Sequence, residues 1–235
     1  MQRFDNEAAY ILHTRSYRET SLLVEVFTYQ HGRLTVVAKG IKNSKKRARG
    51  LLQPFVPLSI SCSGRGELLT LKEFDPRGSI PFLKGTSLVS GFYINELLMR
   101  LLHRWDPHQQ LFETYELTLR QLDLTEDPQP ILRLFEKSLL KALGYELPLL
   151  FDGNTGQPIQ PEQYYSFDPE RGPVATEEEL SDYEKKNQFY RGEALLALAQ
   201  EKVEDKVILS DLKRLMRHVL ALYLDYKPLE TRKLL

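Results

Sequence analysis

Leu22-Leu23-Val24-Glu25-Val26-Phe27-Thr28-Tyr29-Gln30-His31-Gly32-Arg33-Leu34-Thr35-Val36-Val37-Ala38 reads as two β-strands joined by a tight turn. Glu25 points opposite to Val24 and Val26, the period-2 alternation of a half-buried strand. Gln30-His31-Gly32 supplies the turn, where Gly32 is free to take positive φ. Working outward, Ala8 to His13, Phe55 to Ser61 and Glu67 to Phe74 are further short runs rich in Val, Ile, Leu, Phe and Tyr. Turn residues separate them. Five such runs within residues 8–83 predict a small closed barrel, and the OB-fold is the commonest five-stranded version.

From about Thr86 the period becomes helical. Leu88, Phe92, Asn95, Leu98, Met99 and Leu102 recur at i, i+3 and i+4, which predicts a mostly buried helix over Ser87 to His103. Asp106-Pro107 ends it and opens a second, where Leu111, Tyr115, Leu119 and Leu122 repeat. Asp127-Pro128 starts a third, with Leu132, Phe135, Leu139, Leu140 and Leu143 inward and Gly144 as its stop. Residues 145–175 carry Pro, Gly and aromatics without helical period and read as a long excursion. Helices resume at Gly192 to Lys202 and after Ser210, a candidate N-cap, where Leu212, Leu215, Met216, Val219, Leu222 and Tyr223 form one stripe. The expectation is an α+β chain of two domains: an OB-fold barrel over 1–83 and a helical domain over 84–235.

The chain is electrically balanced, with 32 basic and 32 acidic residues among 235. Yet between Glu25 and Glu67 it carries no Asp or Glu. That window holds Arg33, Lys39, Lys42, Lys45, Lys46, Arg47, Arg49 and Arg65, most of them in the glycine-bracketed stretch Lys39 to Gly50. A positive loop on a β scaffold suits a polyanion, because phosphate affinity comes mainly from charge neutralisation and counterion release. These eight residues are the candidate nucleic-acid contacts. Tyr17, Phe27 and Tyr29 are candidates for base stacking, or for core and turn packing.

Other chemistry finds little footing. Cys62 is the single cysteine, which excludes an internal disulfide and a multi-cysteine zinc site. It lies in an apolar strand and reads as a small buried hydrophobe. His13, His31, His103, His108 and His218 lack metal-ligand spacing, so neither metal nor cofactor is expected. There is no G-x-x-x-x-G-K-[ST] cradle; Gly64-Arg65-Gly66 reads as a turn, and Glu177-Glu178-Glu179 as a solvated helix start. No apolar run approaches the roughly 18 residues of a membrane span. Met1 to Glu7 places acids where a secretory leader needs positive charge, so a soluble intracellular protein is expected. No catalytic residue is nominated.

Several blocks then carry a resemblance: Glu19-Thr20-Ser21-Leu22, Gly32 to Gly40, Leu51-Leu52-Gln53-Pro54-Phe55 and Tyr93-Ile94-Asn95-Glu96-Leu97-Leu98. Arg133, Phe135, Glu136, Leu143-Gly144-Tyr145 and Lys227-Pro228-Leu229 continue it. In order, and over nearly the whole chain, these resemble the RecO family of bacterial recombination mediators. The resemblance implies an OB-fold followed by a helical domain, a non-enzymatic role, and a cytoplasmic, nucleoid-associated protein. It implies binding to single- and double-stranded DNA and annealing of complementary strands. It further implies cooperation with RecR in loading RecA onto DNA coated by single-stranded DNA-binding protein. That partner's acidic C-terminal tail is implied to meet the helical domain at Arg133, with Leu132 and Phe135 as apolar surroundings. A guanidinium can grip a terminal carboxylate through paired hydrogen bonds. One departure stands out. Many members hold a four-cysteine zinc knuckle after the Leu-Gly-Tyr block; here that region has no cysteine, and packing of Tyr164, Tyr165 and Phe167 must hold it. An OB-fold binder of structured RNA and a scaffold docking an acidic protein surface are the competing readings.

Overall fold

The computed structural model describes residues 2–44, 46–66, 68–176 and 179–233, without the side chains of Lys46, Arg47 and Lys186. The expected acidic helix start at Glu177 and Glu178 therefore lies outside the described residues, as does Lys45. Five strands form a closed barrel: β1 (Gln2–Tyr17), β2 (Ser21–Thr28), β3 (Gly32–Ala38), β4 (Pro57–Gly64) and β5 (Leu68–Pro76), in the order β1-β2-β3-β5-β4. A short helix, α1 (Lys46–Leu51), lies between β3 and β4 in the chain. Strand β1 serves two partners, pairing Ala9 to Tyr17 with β2 and Gln2 to Tyr10 with β4. It starts earlier than the apolar pattern suggests, because its polar first half breaks alternation at a bulge between Phe4 and Glu7, where Asn6 has a φ of 54°. The barrel closes through parallel pairing of Thr35–Val37 with Leu68–Thr70.

Val24 and Val26 point inward as the alternation requires, packing with Ile11, Leu34, Val36, Leu58, Ile60, Cys62 and Leu69. The outward row of β2 is also buried. Phe27 is 0% exposed, and Glu25 is closed off as well. The cover comes from α2 (Gly85–Leu101) and α3 (Gln109–Leu124). Phe112 of α3 sits 5.3 Å from Phe27, 5.5 Å from Tyr10 and 5.6 Å from Tyr29, ring to ring. Each fully buried large apolar side chain contributes about 1.5–3 kcal/mol. Tyr115 donates to Asn95 Oδ1 at 2.7 Å, and Asn95 Nδ2 donates to the Leu12 carbonyl at 3.0 Å, tying both helices to β1. Gly32, at φ 69°, turns the β2–β3 hairpin so closely against Asp106 that an added Cβ would strike its backbone.

Contacts divide the chain into two compact units, 1–126 with 229–235, and 127–228. The first contains the barrel, α2, α3 and the 3₁₀ turn Glu230–Lys233, whose Thr231 amide and hydroxyl both donate to Glu96 of α2. The second contains α4 (Gln129–Ala142), a small sheet in the order β7-β6-β8 (Gly172–Ala175, Tyr164–Asp168, Tyr190–Arg191), α5 (Asp182–Asn187), α6 (Gly192–Ala199) and α7 (Lys206–Tyr223). Helix α7 starts before Ser210: its cap is Asp205, whose carboxylate accepts from the Val207 and Ile208 amides at 2.7 and 3.1 Å.

The cysteine-free excursion is held by more than the expected aromatic packing. Tyr165 and Phe167 are buried and Tyr164 half-buried. Asp152, 4% exposed, accepts from the amides of Asn154 (2.9 Å), Thr155 (2.7 Å) and Ala175 (2.6 Å) and from the Thr155 hydroxyl (3.0 Å). Burial pushes this carboxyl up, but the bonds from Ala175, Thr155 and Asn154 outweigh it and hold it below the usual range. A folded-state value below the unfolded value of about 3.9 stabilises the fold above that pH, and the gain is lost as pH falls through the folded value. Asp152→Asn is expected to cost about 1–3 kcal/mol at neutral pH and to flatten the acid limb. Urea melts between pH 7 and pH 3 check both; an unchanged acid limb would assign the pH dependence elsewhere.

Candidate nucleic-acid interface

The basic stretch is seated rather than loose. Ile41 and Leu52 anchor its ends in the barrel core, and between them run a 3₁₀ turn (Ile41–Asn43) and α1. Its expected loop is thus partly helical. The Lys42 amide donates to the Thr20 carbonyl at 3.0 Å, and Lys42 Nζ to the Arg18 carbonyl at 3.0 Å. These bonds join the stretch to the β1–β2 turn. Arg18, held at φ 52°, presents an exposed guanidinium 5.2 Å from the Tyr17 ring centre, and Arg15 is exposed on β1. Glu19 lies in the same turn. Lys39 and Arg49 are exposed; Lys42 is half-buried; Lys46 and Arg47 lie on the α1 backbone. Arg65 is exposed on the β4–β5 turn. In OB-folds the β1–β2 and β4–β5 loops flank the binding cleft, so Arg18 and Arg65 occupy the expected flanks. Arg15 and Arg18 were missed by charge-window reading because Glu19 and Glu25 interrupt the run of cations.

Arg33 does not share this open surface. Its Nη1 lies 3.4 Å from Glu25, its Nε donates to the Leu102 carbonyl at 3.1 Å, and Glu25 also binds Thr35 and Arg104. Burial, offset in part by Glu25, lowers the Arg33 guanidinium from its usual range. Its job is to tie the hairpin to the end of α2. The stacking candidates are similarly committed: Phe27 is enclosed by α3, Tyr29 packs on Phe112 and donates to Glu113 at 3.2 Å, and Tyr17 faces Arg18.

In the second unit, Arg133 is 4% exposed and pairs with the 0% exposed Glu136 at 2.8 Å. Leu132 and Phe135 are core residues. None of the three presents the open face that a tail carboxylate or terminal apolar residue needs. Helix α7 presents more accessible cations. Lys206 and Lys213, with Leu209, Ser210, Asp127 and Gln129, line a cavity of about 350 Å³. Burial, then the neighbouring charges of Arg133 and Arg217, lowers the Lys213 ammonium from its usual range, with Glu136 opposing. Lys206, Lys213 and Arg217 fall at i, i+7 and i+11, one helical face, a signal legible in the sequence.

Among the described residues, no group of three or more His, Cys, Asp or Glu is placed to hold a metal, and no helix is long and apolar enough to cross a membrane. The family described as Recombination protein O N terminal matches residues 1–80, and Recombination protein O C terminal matches residues 84–233. The chain belongs to the RecO family. It is 46% identical over 229 residues to a DNA repair protein RecO of Nitrosococcus oceani, covering 97% of this chain and 92% of that one. It is 45% identical over 234 residues to the protein of that name from Nitrosospira multiformis, covering 100% and 96%. For the Coxiella burnetii protein the figures are 42% over 229 residues, 97% and 96%. RecO-family membership makes this a DNA repair and recombination protein, and the OB-like barrel followed by helices agrees with it.

Proposed function

We propose that this chain is a non-enzymatic recombination mediator of the bacterial cytoplasm. It binds single- and double-stranded DNA, anneals complementary strands and, with RecR, helps load RecA onto DNA coated by single-stranded DNA-binding protein. The observation that carries the reading is the acid-free segment from Lys39 to Arg49, fastened by Lys42 to the Arg18 turn. Annealing needs two phosphate backbones brought close while their base edges stay free. A cationic rim does this without reading sequence. The enclosure of Phe27 by α3, and the engagement of Tyr29 with Phe112 and Glu113, favour such phosphate contact over base stacking. Titrating single-stranded DNA, duplex and folded RNA across salt tests the assignment. Four to five neutralised phosphates give a slope of log K on log salt of about −3 for single strands. A flat response favours the protein-docking scaffold, and tighter binding of folded RNA favours the RNA-binding alternative.

The acidic tail of single-stranded DNA-binding protein is proposed to meet the Lys206, Lys213 and Arg217 face, with Arg133 as a buried backing charge. Lys213→Ala is then expected to weaken a labelled tail peptide about tenfold, the loss of one charge-assisted hydrogen bond. Bare single-stranded DNA should bind as before. Peptide affinity unchanged in Lys213→Ala would place the tail elsewhere.

A further inference from the structure

Another cavity of the second unit, about 520 Å³, is walled by Tyr164 of β6, Lys185 of α5, Arg191 of β8 and Asp211 and Arg214 of α7. Arg191 Nε donates to Asp211 Oδ2 at 2.8 Å; Arg214 Nη2 donates to Asp211 Oδ1 and to the Phe189 carbonyl, each at 2.8 Å. One carboxylate therefore orients two guanidiniums. Each still keeps a buried nitrogen, Arg191 Nη2 and Arg214 Nη1, with no hydrogen-bond partner among the described residues. The Lys185 ammonium stands 5.7 Å from the Tyr164 ring centre. Against these three cations the wall carries Asp182, which is exposed, and Asp211, already shared. Glu193, also exposed, approaches Arg191 at 3.9 Å. An ion pair serving only to join β8 to α7 would need Arg191 and Asp211 alone. Here Arg214 and Lys185 line the same cavity as well, from two further helical positions.

We propose that this cavity is a binding site for a phosphate-class oxyanion, held by the guanidinium forks of Arg191 and Arg214 and by Lys185. Planar forks match oxyanion geometry, and three converging cations suit a group with three or four oxygens better than a carboxylate with two. The anion has two sources: a DNA backbone phosphate, which would rest on the DNA-binding reading and extend it to the helical unit, or free phosphate.

The test melts the full chain in sodium phosphate, sodium acetate and sodium chloride at matched ionic strength. Phosphate is expected to raise Tm saturably while acetate does not. Lys185→Gln and Arg214→Lys should each cut that shift by half or more; if Arg214→Lys fails to fold by circular dichroism, Lys185→Gln carries the test. A backbone source predicts that Lys185→Gln also weakens single-stranded DNA about threefold and shortens the salt slope by about 0.7. A free-phosphate source predicts unchanged DNA affinity with the phosphate shift lost. The proposal is overturned if phosphate acts no differently from chloride or acetate, or if both variants keep the full shift. It is also overturned if glutamines at Lys39, Lys42 and Arg49 remove the shift instead. Failure of the DNA reading would show separately, as wild-type DNA affinity in that barrel variant.

Discussion

Replacing Lys39, Lys42 and Arg49 by glutamate should weaken single-stranded DNA binding by about two orders of magnitude near 0.1 M salt. Each neutralised phosphate adds about 0.7 to the slope of log K on log salt, so giving up three of them costs about two log units over the decade from 1 M to 0.1 M. Reversal adds repulsion to that loss. The slope itself should become shallower by about 2, which anisotropy titrations at two or three salt concentrations read directly. Stability should barely move: Lys39 and Arg49 are exposed, and surface changes cost within about 0.5 kcal/mol each. Lys42 alone gives up a bond, to the Arg18 carbonyl. A variant that melts normally and binds DNA as tightly as wild type would remove the segment from the interface.

The other large effect concerns Arg133 and Glu136. Glu136→Ala leaves a guanidinium in the core without its carboxylate, which is expected to cost about 3–5 kcal/mol. Arg133→Ala should cost a similar amount, because it takes the ion-pair partner from a fully buried carboxylate. Replacing both by apolar residues of similar volume, such as Arg133→Met with Glu136→Leu, should recover most of the loss. Urea melts of the two single variants and the double variant decide the matter; an Arg133→Ala protein within about 1 kcal/mol of wild type would contradict a structural role. The consequence for function is direct. Tail-peptide binding to Arg133→Ala confounds contact with folding, so Lys213 and Arg217 are the residues with which to probe the tail.

The hairpin from Leu22 to Ala38 was legible because alternation, Gly32 and its flanking strands all agreed on one register. The first half of β1 was not, since a bulge at Asn6 erases the alternation that marks a strand. Helix starts at Asp205 and Gln129 follow local rules, whereas Ser210, which stands beside the apolar stripe, lies inside α7. What covers Phe27 and packs on one face of Tyr29 is a long-range fact: nothing near them in sequence announces α3. Arg33 shows the limit of a charge window, which counts cations without asking which carboxylate faces them; Glu25, eight positions earlier, binds it across the β2–β3 pair. At Arg133 the sign was present, for an Arg and a Glu at i, i+3 amid Leu132, Phe135, Leu139 and Leu140 read as an ion pair inside a buried face.

The most direct test of the central claim is strand annealing, followed by fluorescence with complementary oligonucleotides that are bare or coated with single-stranded DNA-binding protein. Wild type should anneal both. The Lys39, Lys42 and Arg49 glutamate variant should lose both, while Lys213→Ala should lose the coated strands and keep the bare ones. Full annealing of bare strands by the glutamate variant would contradict the account.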